Sequence, residues 1–300
     1  MKYLKSNILL IILTIFTCTV FCQVIDNQLG KGFDQFPVFN PKYIKQKRIK
    51  EIKATFFTKK TGDIMRESPK FTVVEFDLLG RLVLHKEVSK SVDYTDVNHL
   101  EYSYNTKDLL AREKKKLGNN WKVTDYFYDT IGQVIKEEYH LETIFFSDEG
   151  YSIQDSLLDY EISRYKNYSN YKKRIVYNSY GNPYLDIMYY FNKSNQIIEI
   201  AKKLKMTSEI NETKLFYNQK NQIDSLVFFS SLSPKETESV YFTYDKFANI
   251  TDKKLYINQK LIYRIDFVYN NKTGMLSSIL KQEIASNFLS IIRFETKYFD

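Results

Sequence analysis

The chain has 300 residues, of which 43% are hydrophobic and 16% aromatic, and it contains only 9 Gly and 5 Pro. This composition excludes a disordered or low-complexity protein and suffices for one large all-β domain. The net charge of +8 comes with Lys spread along the whole sequence, which is typical of solvated strand edges, so we expect no nucleic-acid partner.

Residues 1–22 have the pattern of a secretory signal peptide. Lys2 and Lys5 precede an apolar run that starts at Ile8, and cleavage is expected after Cys22. An uncleaved anchor and a lipidated cysteine are the alternatives. Both cysteines of the chain, Cys18 and Cys22, lie in this segment, so the mature protein has no disulfide and no thiol nucleophile. The sequence predicts export to the periplasm, the cell surface or the extracellular space, with no transmembrane helix in the mature chain.

Residues 23–48 contain Gly30, Gly32, Pro37 and Pro41 and show little periodicity. We predict an extended N-terminal lead-in here. From residue 49 to residue 300 the sequence reads as one β-hairpin repeat domain.

The dominant feature of that domain is a turn motif that occurs eight times. An aromatic residue is followed by Asp or Asn, and then by a residue that tolerates a left-handed backbone. The Asp or Asn side chain can accept hydrogen bonds from the turn, and the later residue takes the positive φ that closes it. The first set is Asp77, Asn105, Asp129, Asn178, Asn192, Asn218, Asp245 and Asn270. The second set is Gly80, Asp108, Gly132, Gly181, Asn195, Asn221, Ala248 and Gly274.

Strands flank each turn. Counting back by twos from Tyr244 gives Phe242 and Val240, which lie on one apolar face of a strand, and the residue two places past the left-handed position is apolar in most copies. The sequence therefore predicts an all-β fold, a repetitive antiparallel hairpin meander of about fourteen to eighteen strands. We expect a long curved or partly closed sheet.

The motif resembles the YD repeat of bacterial Rhs and teneurin-like proteins. The best matches are the segments Tyr128-Asp129 to Gly132 and Phe76-Asp77 to Gly80. The resemblance covers roughly residues 70–300 and implies a β-hairpin architecture with a role in extracellular binding or scaffolding. Several copies depart from it by carrying Asn for Asp, and the shell, self-cleavage segment and toxin of the long Rhs proteins are missing.

Residues 140–172 break the rhythm of the repeat and are predicted to form an irregular insertion. They are rich in tyrosine, and tyrosine supplies large contact area at low entropic cost. If a contact surface exists, we expect it here, for a glycan or for an envelope or extracellular protein. The candidate residues are Tyr151, Tyr160, Tyr165 and Tyr168. The alternative is that these side chains pack over the edge of the sheet.

No catalytic, cofactor or metal site is predicted. His85, His99 and His140 lack the spacing of metal ligands, and Glu137 and Glu138 are adjacent and so face opposite sides of a strand. Calcium binding by the repeated turn carboxylates is disfavoured because five copies carry Asn.

We therefore predict an exported, non-enzymatic binding or structural module. The alternative is an outer-membrane β-barrel, which many hairpins and an aromatic C-terminus would suit. Charges such as Lys136 and Lys253 fall where a lipid-facing band would be crossed, which favours the first reading. A glycan-active enzyme is a third possibility.

Overall fold

The computed structural model describes residues 23–300 apart from 91–94, 148–149 and 208. The predicted signal peptide and its two cysteines lie outside these residues. The described chain has a short helix and eighteen strands. They are α1 (Pro41–Gln46), β1 (Ile49–Lys59), β2 (Arg66–Phe76), β3 (Leu82–Lys90), β4 (Thr95–Tyr104), β5 (Leu110–Leu117), β6 (Asn120–Tyr128), β7 (Val134–Ser147), β8 (Gly150–Asn167), β9 (Tyr171–Tyr177), β10 (Pro183–Phe191), β11 (Ile197–Leu204), β12 (Ile210–Tyr217), β13 (Ile223–Ser230), β14 (Glu238–Tyr244), β15 (Ile250–Ile257), β16 (Lys260–Tyr269), β17 (Leu276–Glu283) and β18 (Leu289–Tyr298).

All eighteen strands form one antiparallel meander, as the repeat predicts, but the sheet is more closed than expected. Each strand pairs with the next, and β18 pairs with β1 from Ile49↔Tyr298 to Lys59↔Leu289. The structure is thus an 18-strand barrel rather than a long curved or partly closed sheet. Closure satisfies the backbone groups of the first and last strands, which an open sheet would leave unpaired.

The repeat motif forms the tight turns between strands. At the first copy, Oδ1 of Asp77 accepts hydrogen bonds from the backbone N–H groups of Leu79 and Arg81, both at 2.9 Å. Gly80 then adopts a φ of +81°. The ladder shifts by one residue at Phe76, the aromatic position, which makes the connection a bulged hairpin. A positive φ is also found at the corresponding position of the seven other copies: Asp108, Gly132, Gly181, Asn195, Asn221, Ala248 and Gly274.

The aromatic position has a second role that explains why it is usually tyrosine. The hydroxyl of Tyr104 donates to the carbonyl oxygen of Leu82 at 2.7 Å, and Leu82 is the apolar residue just after the preceding repeat turn. The pattern recurs at four further copies around the barrel, so each of these repeats is tied to the strand that follows an earlier turn. The other bonds are Tyr128 to Leu110, Tyr217 to Ile197, Tyr244 to Ile223 and Tyr269 to Ile250.

Removing one of these hydroxyls should weaken the barrel measurably. Tyr269 is a deeply placed member, and burial raises the pKa of its phenol well above the ordinary range. We expect Tyr269→Phe to lower the free energy of unfolding by about 1–2 kcal/mol, because the carbonyl of Ile250 loses a buried donor. Tyr180, 87% exposed, gives the control: Tyr180→Phe should leave a denaturant melt unchanged. Equal melts for the two variants would contradict the role of the hydroxyl.

Residues 23–48 are not an extended lead-in. Ile25 bridges to Phe39 and Phe33 bridges to Pro37, so the segment folds back on itself and reaches only about 25 Å. Its residues nevertheless meet a run of nine consecutive strands, from Leu226 on β13, which lies beside Gly30, through Phe267 on β16 and Phe294 on β18 to His85 on β3. Nine strands cover about 38 Å of backbone arc, and more on the convex side. A compact segment can touch all of them only from within, so it lies inside the barrel.

The N-terminal segment and the strands around it form the main hydrophobic core. Val24, Ile25 and Ile44 are at most 1% exposed and belong to the same cluster as Ile52 and Ile279. The aromatic rings meet edge to face: the centroid of Phe33 lies 5.4 Å from that of Phe267. The core therefore fills one half of the barrel interior, and the inner face of the remaining strands does not contribute to it.

The outer face carries ion pairs between neighbouring strands. On β5 to β7, Nε of Arg112 lies 2.6 Å from Oδ1 of Asp125, and Nζ of Lys114 lies 2.5 Å from Oε2 of Glu142. Elsewhere on this face Lys173 pairs with Asp186 at 2.7 Å. These groups lie within their strands; Glu142 and Asp186 are buried, whereas Arg112 is 41% exposed and brings charge to the outer surface.

The segment predicted as an irregular insertion, either a long loop or an irregular hairpin, belongs to a long hairpin with one register shift. β7 and β8 have 14 and 18 residues, and they pair from Lys136↔Ile162 to Ser147↔Gly150. A single register shift near His140 accommodates the extra length. The spacing between copies of the repeat motif changes here because β7 and β8 are longer than their neighbours. Both strands remain part of the sheet.

Candidate ligand site inside the barrel

A cavity of about 750 Å³ lies between the N-terminal segment and the inner face of β2 to β4. It opens at the end of the barrel that holds the repeat turns at Gly80 and Asp108. Its walls are mostly apolar and aromatic, and they come from Phe36, Pro37, Val38, Phe39, Val74, Phe76, Leu79, Leu82, Tyr102 and Tyr104. Its volume is that of a small-molecule site.

The polar groups of this cavity are few and lie at defined places. Within the wall, His85 contacts the ring of Phe36 at 5.4 Å between centroids. Burial lowers the pKa of His85 below its ordinary value of about 6.5, so the imidazole is neutral at neutral pH and compatible with an apolar occupant. Burial also raises the pKa of Tyr102 to about 12.

The mouth of the cavity carries the cations. The guanidinium of Arg81 is held by Asp77 and by Asp108, the latter at 2.6 Å, and it lies 4.6 Å from the ring centre of Tyr104. Its charge is therefore balanced by its own repeat turns. Lys42 and Lys45 on α1 are exposed beside the opening. The arrangement suits a molecule with an apolar body inside and a negative group outside.

The opposite half of the inner wall, on β7 to β10, is polar. Glu137 lies directly across from Glu161 on the neighbouring strand. Nη2 of Arg174 lies 2.6 Å from Oε1 of Glu137, and the hydroxyl of Tyr184 donates to Glu161. Each carboxylate thus has its own structural partner. Burial raises the pKa of Tyr184, and the hydrogen bond to Glu161 raises it further.

The tyrosines predicted as a contact surface do not form one site. Tyr151 is 70% exposed at the tip of the β7–β8 hairpin, and Tyr160 donates to the carbonyl oxygen of Ser179 at 3.2 Å. Tyr165 lies on the inner face and donates to the carbonyl oxygen of Val134 at 3.0 Å. Tyr168, in the next turn, stacks on Tyr171 with a centroid distance of 4.3 Å. Tyr151 and Tyr165 are fourteen residues apart on one strand, which separates them by about 46 Å.

Sequence reasoning missed the cavity because half of its wall comes from the N-terminal segment. That segment has no periodicity to show which strands it meets. The facing carboxylates Glu137 and Glu161 were missed for a related reason: their register depends on the length of the β7–β8 hairpin. Glu138, by contrast, turns outward and pairs with Lys136 at 2.5 Å, as alternation along a strand requires.

Across the described part of the chain, no helix has the length and apolarity needed to cross a bilayer. No protein-family model matches the sequence, and no curated protein sequence matches it either.

Several solved structures are similar to this chain at a distant level. A porin-like protein from Bacteroides uniformis aligns with a TM-score of 0.36 and 10% identity over 84% of this chain and 97% of its own. A porin-like protein from Bacteroides vulgatus gives 0.32 and 9%, over 71% and 97%. The LolA superfamily protein NE2245 from Nitrosomonas europaea gives 0.23 and 8%, over 88% and 95%. Scores and identities this low establish neither the fold nor the function of this chain.

Proposed function

We propose that this protein is an exported, non-enzymatic barrel of the cell envelope or extracellular space that binds an apolar molecule with an anionic end. The observation that carries the proposal is the apolar cavity between the N-terminal segment and β2 to β4. A relationship to the YD-repeat proteins is part of the same proposal, and the repeat turns and their tyrosine bonds support it.

Two features of the site support binding rather than catalysis. The carboxylates of the inner wall, Glu137 and Glu161, are each engaged by a neighbouring side chain, which leaves no free acid and base pair there. The cavity itself holds one neutral imidazole, that of His85, amid aromatic walls. Such a pocket recognises shape and apolar surface, with the lysines of α1 supplying charge at the mouth.

The site is tested by narrowing its mouth at a position where the fold should tolerate it. Leu79 lines the opening, sits on a repeat turn and is 42% exposed. Ile131 holds the equivalent place in another repeat turn and is 76% exposed. With a fluorescent long-chain fatty acid as the probe, we expect Leu79→Trp to weaken binding about tenfold or more, a loss of about 1.4 kcal/mol. Ile131→Trp should have no effect.

The charge at the mouth is tested with the same probe and its uncharged methyl ester. Lys42→Ala combined with Lys45→Ala should weaken binding of the acid and leave binding of the ester unchanged, because only the acid pairs with these ammonium groups. Failure of both probes to bind the unaltered mature protein would contradict the proposal, as would equal affinities of the two Trp variants.

Closure of the sheet favours a second candidate, the outer-membrane β-barrel, over an open binding surface, since closed barrels are the β-structures that span membranes. The charged outer face argues against the membrane barrel, because each Arg or Lys that faces lipid at the bilayer midplane costs about 2–4 kcal/mol. Extraction of envelope membranes at alkaline carbonate pH separates the two. We expect the protein in the soluble fraction; retention in the membrane with detergent-dependent solubility would establish the second candidate.

A further inference from the structure

The β7–β8 hairpin extends beyond the strands on either side of it. Pairing of β6 with β7 stops at Asn120↔Thr143, and pairing of β9 with β8 begins only at Ile162↔Tyr177. Residues 144–147 of β7 and 150–158 of β8 therefore form a two-stranded ribbon at the end of β7 opposite its repeat turn. Among the residues that the structure describes, no strand pairs with the outer edge of β8 from Tyr151 to Leu158.

The ribbon is apolar as well as unpaired. Its exposed hydrophobic side chains are Phe145 at 50%, Tyr151 at 70%, Ile153 at 52%, Leu157 at 52% and Leu158 at 59%. Phe145 pairs with Ser152 and so lies on the opposite face from Tyr151 and Ile153, which means that the ribbon exposes apolar side chains on both faces. A long, flat, apolar strand edge is a template for adding another strand, and proteins usually protect such edges with lysine or proline.

This edge carries acidic residues in place of the protective lysine or proline. Between residues 144 and 159 there are four Asp and Glu and no Lys or Arg, in a chain whose net charge is +8. The remainder of the chain therefore carries +12. Around the ribbon itself, Asp155 is half exposed and lies 3.1 Å from Nδ1 of His140, and Asp159 is exposed.

We infer that the outer edge of β8 binds an extended segment of an envelope or extracellular protein, in which Lys or Arg alternates with apolar residues. Backbone hydrogen bonds add the segment as a further strand, and its two faces meet the apolar side chains and the acids of the ribbon. Charge excludes the simplest competitors. Pairing of two copies edge to edge would bring like charges together, and anionic lipid would repel the acidic tip. The inference is independent of the cavity at the turn end.

The experiment uses the full mature protein and a blocked eight-residue peptide of alternating Lys and Val. We expect saturable binding that weakens with salt, and protection of the backbone amides of Tyr151 to Leu158 from hydrogen exchange. A peptide of alternating Glu and Val should bind at least tenfold more weakly, because it repels the acids of the ribbon.

Variants separate this edge from general attraction of a peptide to the protein. Ile153→Lys with Leu157→Lys should reduce affinity for the Lys–Val peptide at least tenfold. Leu232→Lys with Leu117→Lys makes the same charge change at residues that are 71% and 61% exposed in other hairpin connections, and it should leave affinity unchanged. Both double variants should melt like the parent, since all four side chains are exposed.

Three results would overturn the inference. The first is equal affinity for the Lys–Val and Glu–Val peptides. The second is peptide binding that leaves the amides of β8 unprotected. The third is a concentration-dependent dimer in gel filtration that the Ile153→Lys, Leu157→Lys variant abolishes, which would assign the edge to a second copy of this chain.

Discussion

Gly80→Ala is expected to be among the most damaging single substitutions in this protein, although it adds only one methyl group. Gly80 has a φ of +81°, and a Cβ placed there would lie 2.1 Å from the carbonyl oxygen of Pro41 and 2.7 Å from the backbone nitrogen of Lys45. Both are backbone atoms of α1, so neither can swing aside. The positive φ costs about 1–2 kcal/mol for an L residue, and forced overpacking adds about 1–3 kcal/mol. We expect a total loss of about 2–5 kcal/mol in the free energy of unfolding.

Gly181 provides a matched control for this substitution. It occupies the same place in another repeat turn with a φ of +76°, and nothing lies within 4 Å of its hypothetical Cβ. Gly181→Ala should therefore show the conformational cost alone, about 1–2 kcal/mol. The comparison is made by denaturant unfolding of the two variants. If the two variants lost equal stability, the close packing of α1 on the first repeat turn would be wrong.

Phe33→Ala should produce a loss of similar size from inside the barrel. Phe33 is 3% exposed and packs edge to face on Phe267, and its carbonyl oxygen accepts a hydrogen bond from Nζ of Lys253 at 2.6 Å. Burial lowers the pKa of Lys253, which places that ammonium in the same enclosed region. Truncating a buried Phe costs about 3–5 kcal/mol, and we expect a loss in that range.

The control is a phenylalanine of the outer face. Phe216 on β12 is 49% exposed, so Phe216→Ala should cost less than about 1 kcal/mol. The ratio of the two losses, from thermal or denaturant melts, reports whether the N-terminal segment is part of the core. A small loss at Phe33 would mean that the segment only rests on a barrel that is stable without it.

The repeat turns could be predicted from sequence because their chemistry is local. Asp77 accepts hydrogen bonds from the backbone N–H groups of the residues two and four places on, and the positive φ at Asn195 or Asn221 needs a residue type that the sequence shows directly. Alternation along each strand then gives the strands, and eight copies give roughly the right number of them.

Closure could not be predicted in the same way. The pairing of β1 with β18 joins residues 49–59 to residues 289–298, and no local pattern records whether two distant strands meet. The position of the N-terminal segment could not be predicted from sequence for a similar reason, since its contacts are set by the curvature of the barrel. One signal was present and not used: Tyr occupies most of the aromatic positions, where Phe would fill the same volume, and its hydroxyl has a partner in the preceding repeat.

Closure of the barrel is the central claim, because the cavity and the position of the N-terminal segment inside the barrel both depend on it. Lys53 on β1 lies directly opposite Glu295 on β18. Residues 23–300 contain no cysteine, so a Lys53→Cys, Glu295→Cys protein made without residues 1–22 can be treated with a short bifunctional thiol reagent and its peptides identified by mass spectrometry. We predict efficient intramolecular cross-linking between positions 53 and 295, and none between positions 53 and 254 in a Lys53→Cys, Lys254→Cys control, where β16 to β18 intervene. Absence of the 53–295 cross-link in protein that melts like the parent would mean that the sheet is open between its first and last strands.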